Sequence, residues 1–137
     1  MLCCTIVHVD IVADTNIFLA VVLNEPQKLS IIEHTTDATV IAPAVLPYEI
    51  GNALSAMVKR KQVTSSEALA AEESARKIPV RLVDVDVNEC LELALGQNIY
   101  AYDAYFLRCA QSFSAPLLTL DRRMKQVAET LKIRLLE

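Results

Sequence analysis

Four acidic residues, Asp14, Glu49, Asp103 and Asp121, occupy positions where an ionised side chain is hard to account for. Asp14 stands in VADTNIFLA, Glu49 in AVLPYEIGNAL and Asp103 in IYAYDAYFL, and none of the three has a Lys or Arg within four positions on either side. These stretches are apolar enough to face a core, and burying an unpaired carboxylate costs more than a single-domain fold can spare. Each acid must therefore be protonated, paired or bound to a metal. If three or four of them converge, like-charge repulsion makes a divalent cation the natural partner, and an all-oxygen ligand set points to Mg²⁺ or Mn²⁺.

Structural duties explain some of these acids and not others. Asp121 follows LLTL and precedes RRMK, so it suits the cap of a helix whose first turns are basic. Asp103 falls near a helix start and could serve the helix dipole. Asp14 and Glu49 have no comparable explanation. Asp10 is a rival to Asp14, but its place at the mouth of the first strand reads as a solvated edge. Asp84 and Asp86 in VDVDV alternate along one strand face and are expected to reach solvent beside Arg81.

Much other chemistry is excluded by what is missing. The only glycines are Gly51 and Gly96, too few for a Walker loop or a dinucleotide fingerprint. The two histidines, His8 and His34, come without a G-x-S-x-G elbow, so a Ser-His-Asp triad has no support. Cys3, Cys4, Cys90 and Cys109 form no C-x-x-C pair and read as small hydrophobes rather than zinc or redox ligands. There is no Trp, and no aromatic residue is interleaved with basic ones for stacking on bases. An enzyme built from this chain works through carboxylates.

The elements that must position those acids alternate. CTIVHVDIVA reads as a strand, residues 15–23 and 27–36 as two short helices broken at Pro26, and ATVIAP as a short buried strand. VLPYEIGNALSAMVKRKQ has apolar residues at helical spacing and a basic end, and TSSEALAAEESARKI opens with a capping signature. PVRLVDV is a third strand, VNECLELALGQN a helix closing near Gly96, AYDAYFLRCAQSF another helix and APLLTL a fourth strand. DRRMKQVAETLK is a last helix, and IRLLE a possible edge strand. Alternation of this kind predicts an α/β fold, a parallel sheet with helices on both faces and its ligand site beyond the carboxyl ends of the strands. Asp14, Glu49 and Asp121 each follow such an end.

At 137 residues the chain is expected to form one domain over 1–137, and 53% apolar with 22% charged residues excludes the disordered class. No apolar run is long enough to span a membrane, and no basic residue precedes the first apolar run, so a cytoplasmic protein is expected. The net charge of −4 opposes bulk binding to nucleic acid, but residues 102–137 carry six bases against four acids. Arg108, Arg122, Arg123, Lys125, Lys132 and Arg134 could build a local basic surface, or simply a solvated face of the last helices.

VADTNIFLA, PYEIGNAL, YAYDAYFLRCA and LLTLDRRM, in this order, resemble the PIN-domain family, in particular the VapC-like toxins of prokaryotic toxin–antitoxin pairs. The resemblance covers nearly the whole chain. It implies a three-layer α/β/α sandwich around a central parallel sheet of four to five strands and Mg²⁺- or Mn²⁺-dependent ribonuclease activity. By the same similarity Asp14, Glu49, Asp103 and Asp121 form the acidic metal-binding and catalytic set, with Asn16 and Thr119 supporting it by hydrogen bonds. A homodimer, and an antitoxin whose tail enters the acidic pocket, are also implied. About ten residues precede the family's usual first strand, so MLCCTIVHV either extends that strand or reflects an upstream start codon. On this reading Asp14, Glu49 and Asp103 hold the main ion, Asp121 completes it or serves a weaker second one, and Arg122 and Arg123 meet phosphates. One alternative is a non-catalytic PIN-like domain binding a basic peptide in its acidic groove. Another is an aspartyl-phosphate phosphotransferase with Asp14 as nucleophile, weakened because Asn16 stands where that chemistry needs a second Asp.

Overall fold

The computed structural model describes residues 9–137. The readings that rest on Cys3, Cys4, His8 and the N-terminal stretch fall on residues 1–8, outside the described residues. Strands β1 (Val9–Ala13), β2 (Ala38–Pro43), β3 (Arg81–Val83) and β4 (Leu117–Leu118) form one sheet in the order β3-β2-β1-β4, with every pairing parallel. Helices α1 (Thr15–Val22) and α2 (Lys28–Thr35) link β1 to β2; α3 (Leu46–Lys59) and α4 (Ser65–Arg76) link β2 to β3. Helices α5 (Val87–Gln97) and α6 (Ala101–Phe113) link β3 to β4, and α7 (Arg122–Thr130) follows.

The expected α/β/α sandwich is thus present, with four parallel strands flanked by seven helices among the described residues. Its winding places the site. The chain moves outward from β1 to β2 to β3, then returns to the other side of β1 to lay down β4. Right-handed crossovers put helices on opposite faces when the winding direction changes, and a crevice opens at the strand ends where it reverses. Here that point lies between β1 and β4, whose ladder runs Val12↔Leu117 and Ala13↔Leu118 and is extended by the Asp14 N–H donating to the Leu118 carbonyl at 3.2 Å.

The core explains why the sheet stays in register. Ile11, Val12, Ile41, Leu117 and Leu118 are buried, and α6 lies against β1 and β2 through Phe106, Leu107, Cys109 and Ala110. Helix α3 buries Leu46, Ile50 and Leu54 at four-residue spacing, the stripe its sequence predicts. The predicted capping signature of α4 is a full capping box between Thr64 and Glu67.

Several local expectations are corrected. Strand β3 is shorter than PVRLVDV suggested: Asp84 lies beyond it, and Asp86 is the N-cap of α5, accepting from the Glu89 N–H at 3.0 Å. Both are exposed, as expected, but they do not alternate along a strand. Helix α5, by contrast, closes near Gly96 as expected, with Gln97 its last residue and Asn98 its cap in the left-handed region at φ 55°, a conformation Asn tolerates well. The tail IRLLE contributes one parallel bridge, Leu135 to Leu117, backed by Leu117 N–H to the Arg134 carbonyl at 2.9 Å. That bridge covers the outer edge of the two-residue β4.

Leu107 is fully buried under the sheet, so Leu107→Ala should cost about 2–5 kcal/mol through lost transfer energy and a residual cavity. Leu95, exposed on α5, should tolerate Leu95→Ala within about 0.5 kcal/mol. Urea unfolding of the two variants measures the difference, and equal midpoints would contradict this placement of the core.

Candidate active site

Asp14 ends β1 and caps α1. Its Oδ1 accepts from the Ile17 N–H at 3.3 Å, and its Oδ2 accepts from the Thr119 hydroxyl. Thr119 comes from the loop after β4 and is itself buried, and its oxygen accepts from the Asp121 N–H at 3.1 Å. One hydroxyl therefore locks the ends of β1 and β4 together at the switch point. Asp121 caps α7 through its Oδ1, which accepts from the Met124 N–H at 3.0 Å, as its sequence position predicts.

Glu49 and Asp103 approach from other elements. Glu49 is in the first turn of α3 and accepts from the Thr15 hydroxyl, at the start of α1. Asp103 is in the first turn of α6, half-buried, with no hydrogen bond to its side chain among the described residues. All four acids thus sit at an N-cap or in a first helical turn.

Their electrostatics are one-sided. Asp14 is only 6% exposed, and burial pushes its carboxyl up to about 6; the bonds from Thr119 and Ile17 oppose this, while Asp121 and Asp103 add to it. Burial also raises Glu49, opposed by Thr15 and reinforced by Asp103. Asp103 is raised by burial and then by Asp121. The acids act on one another in a continuous group, and the ion pairs Arg76–Glu72 and Arg108–Glu89 lie elsewhere. Two hydrogen bonds and a raised proton affinity, not a basic side chain, answer the charge on Asp14.

The supporting residues divide. Thr119 holds two of the acids. Asn16 is exposed on α1 and makes no hydrogen bond to them. Thr15, which its sequence position did not single out, holds Glu49; the available signal was its place directly after Asp14. Arg122 is exposed beside Asp121, whereas Arg123 donates to the Gln97 carbonyl at 3.0 Å and so closes the end of α5. Arg108 is tied to Glu89 at 2.9 Å, which takes it out of the basic surface its sequence region suggested.

Two cavities flank Glu49. The larger, about 820 Å³, is an apolar groove lined by Phe18, Leu46, Ile50, Ile78 and Leu82, and none of the four acids lines it. The smaller, about 230 Å³, is lined by Thr15, Tyr48, Glu49, Asn52 and Tyr102, so that one of the four acids, Glu49, forms part of its wall. As to a metal, the donor set is all carboxylate and hydroxyl oxygen, which suits a hard divalent ion. Among the described residues no three His, Cys, Asp or Glu stand close enough to form a ready-made cage. Mg²⁺ needs only one or two carboxylates because it retains waters, so the residues present fit such an ion.

Residues 11–130 match the PIN domain family. The chain belongs to that family. PIN domains are generally nucleases and typically use divalent metal ions. Solved structures agree on the fold. PAE2754 from Pyrobaculum aerophilum superposes with a TM-score of 0.69 at 23% identity, covering 91% of this chain and 95% of that one. VapBC2 from Rickettsia felis, crystallised bound to a DNA fragment from their promoter, gives 0.63 at 14% identity, covering 93% and 97%. No curated protein matches the chain significantly in sequence. Among the described residues of this PIN domain, no helix is long and apolar enough to cross a membrane.

The raised carboxyl of Asp14 has a consequence for stability. The folded domain holds this proton more tightly than the unfolded chain, whose ordinary value is 3.8, so stability should fall as pH rises from about 4 to 6 and level off above. Asp14→Asn keeps the cap and removes the charge, and should raise stability at pH 7 in EDTA by up to about 3 kcal/mol while flattening that slope. Urea unfolding at pH 4, 5, 6 and 7 reads both; an unchanged slope would mean that Asp14 titrates as if solvated.

Proposed function

We propose that this PIN domain is a metal-dependent endoribonuclease, the VapC-like toxin half of a toxin–antitoxin pair. One observation carries the reading: burial raises the proton affinity of Asp14, Glu49 and Asp103 at the strand ends, Asp103 and Asp121 add to this by repulsion, and the opposing contributions come from hydrogen bonds rather than from Lys or Arg. Carboxylates gathered in this way store repulsion that a divalent cation relieves. Asp14, Glu49 and Asp103 would hold the main Mg²⁺ or Mn²⁺, and Asp121 would complete that site or serve a weaker second one. A bound ion of this kind supplies an activated water and neutralises charge on the phosphate and the leaving oxygen.

The chain's own residues do the positioning. The Thr119 hydroxyl fixes one oxygen of Asp14 and the α1 N-terminus fixes the other, so this carboxylate cannot rotate when substrate arrives. Thr15 holds one oxygen of Glu49. Asp103 has no such restraint and is the most free to adjust. Arg122, exposed one residue from Asp121, is the better placed arginine to meet a phosphate, because Arg123 would first have to release Gln97. The likeness of the fold to the VapBC2 chain supports an antitoxin partner, and family membership supports a homodimer; an RNA target and such a partner would place the protein in the cytoplasm.

Incubation of purified protein with a mixed RNA pool, bulk tRNA included, and Mn²⁺ tests the reading. Cleavage should appear with Mn²⁺ and disappear with EDTA, with Asp103→Asn and with Asp14→Asn, while both variants stay folded. Cleavage that survives EDTA or Asp103→Asn would sink the assignment. Mn²⁺ binding without turnover on any RNA would favour the alternative in which the acidic groove takes a basic peptide.

A further inference from the structure

Tyr48 immediately precedes Glu49 in the first turn of α3, and Tyr102 immediately precedes Asp103 in the first turn of α6. Both rings are largely in water, Tyr48 at 79% and Tyr102 at 58% exposure, yet both line the same 230 Å³ pocket as Thr15 and Glu49. Tyr102 is braced by Tyr105, edge to face, with ring centroids 5.9 Å apart and planes at 85°. Asn52, one turn along α3 from Tyr48, lines the same pocket, and its side-chain amide has no hydrogen-bond partner among the described residues. The pocket therefore offers two aromatic faces, one braced, and an unused donor–acceptor pair, beside Glu49.

We infer that this pocket is a nucleobase subsite: Tyr48 and Tyr102 stack on one unpaired base of the substrate, and Asn52 hydrogen-bonds to its edge. The inference rests on the ribonuclease reading and adds to it the part of the substrate that is gripped. Three features favour a base over other ligands. The lining has no Lys or Arg, so it is not a second phosphate site. Exposed aromatic rings stack on any base, and so grip a single strand whatever its sequence. An amide can discriminate among base edges, which stacking alone does not do. The pocket's size suits one planar heterocycle and not a duplex, so the base must be unpaired, in a single strand or a loop.

Steady-state cleavage of a single-stranded octaribonucleotide with Mn²⁺ tests this, comparing wild type with Tyr48→Ala, Tyr102→Ala, Tyr48→Phe and Asn52→Ala. Each tyrosine-to-alanine change should raise KM roughly tenfold with kcat within about twofold, as loss of uniform binding requires, and Tyr48→Phe should behave as wild type. Asn52→Ala should narrow the difference between octamers that vary in one base rather than weaken all of them. In the inactive Asp103→Asn background, an octamer carrying 2-aminopurine should lose fluorescence on binding, and Tyr48→Ala with Tyr102→Ala should abolish that quenching. The subsite is overturned if the enzyme cleaves the octamer and neither alanine variant moves KM, or if the variants halve the molar mass in light scattering with quenching retained, which would assign the rings to a contact with a second copy. If wild-type protein neither cleaves nor binds any octamer, the ribonuclease reading and the subsite fall together.

Discussion

The hydrogen bonds of a single threonine hydroxyl tie together the two acids that flank the switch point. Thr119 donates to Asp14 and accepts from the backbone of Asp121, joining the end of β1 to the start of α7 across the point where the sheet reverses its winding. Strand β4 has only two residues and few ladder bonds of its own, so this link and the bridge from Leu135 fix where its end lies. The same hydroxyl stabilises the charged form of the one carboxylate that burial disfavours most. Fold and site meet in that residue, because the contact that closes the sheet edge also sets the state of Asp14.

The sheet topology explains why the acids arrive from such distant parts of the chain. Asp14 and Asp121 flank the switch point from the two adjacent strands β1 and β4, although 107 positions separate them in sequence. Glu49 comes from the helix after β2, and Asp103 from the helix before β4. A doubly wound sheet collects the residues after its strands on one rim, so no long loop is needed to gather them. Only Asp103 depends on helix docking, and α6 is held firmly, with Phe106, Leu107, Cys109 and Ala110 buried against the sheet.

Sequence alone makes the layers legible because the periodicities are strong: the four-residue stripe of α3, the capping box of α4 and the cap at Asp121 are local facts, whereas the cap that Asp14 provides to α1 was not read from the sequence. The acids were conspicuous for a physical reason, an apolar context with no base nearby. What was not legible depends on pairs far apart in the chain. Thr15 and Glu49 lie 34 positions apart, so nothing local marks Thr15 as more than another residue in a helix start. Arg123 looked like one more base in a cluster until Gln97, 26 positions away, proved to hold it. Tyr48 and Tyr102 were passed over because stacking residues were sought among bases, whereas here each precedes an acid. The ends of β3 were misjudged because Asp86 suits a strand edge and a helix cap equally well until its partner is known.

How the domain tolerates four carboxylates without a basic side chain follows from where they sit. Each is at the N-cap or in the first turn of a helix, α1, α3, α6 or α7, so the partial positive charge of four helix N-termini points at the cluster. Each such placement stabilises an anion by about 0.3–1 kcal/mol, more where burial limits screening. That is a fixed, partial neutralisation built from the backbone. It does not complete the neutralisation, because burial and, after it, repulsion within the group still raise the carboxyls of Asp14, Glu49 and Asp103. A lysine in the same place would have completed the neutralisation and left nothing for a cation to do. Backbone dipoles instead hold the acids together while offsetting only part of their charge, and the negative charge that remains is of the kind a hard divalent ion can offset.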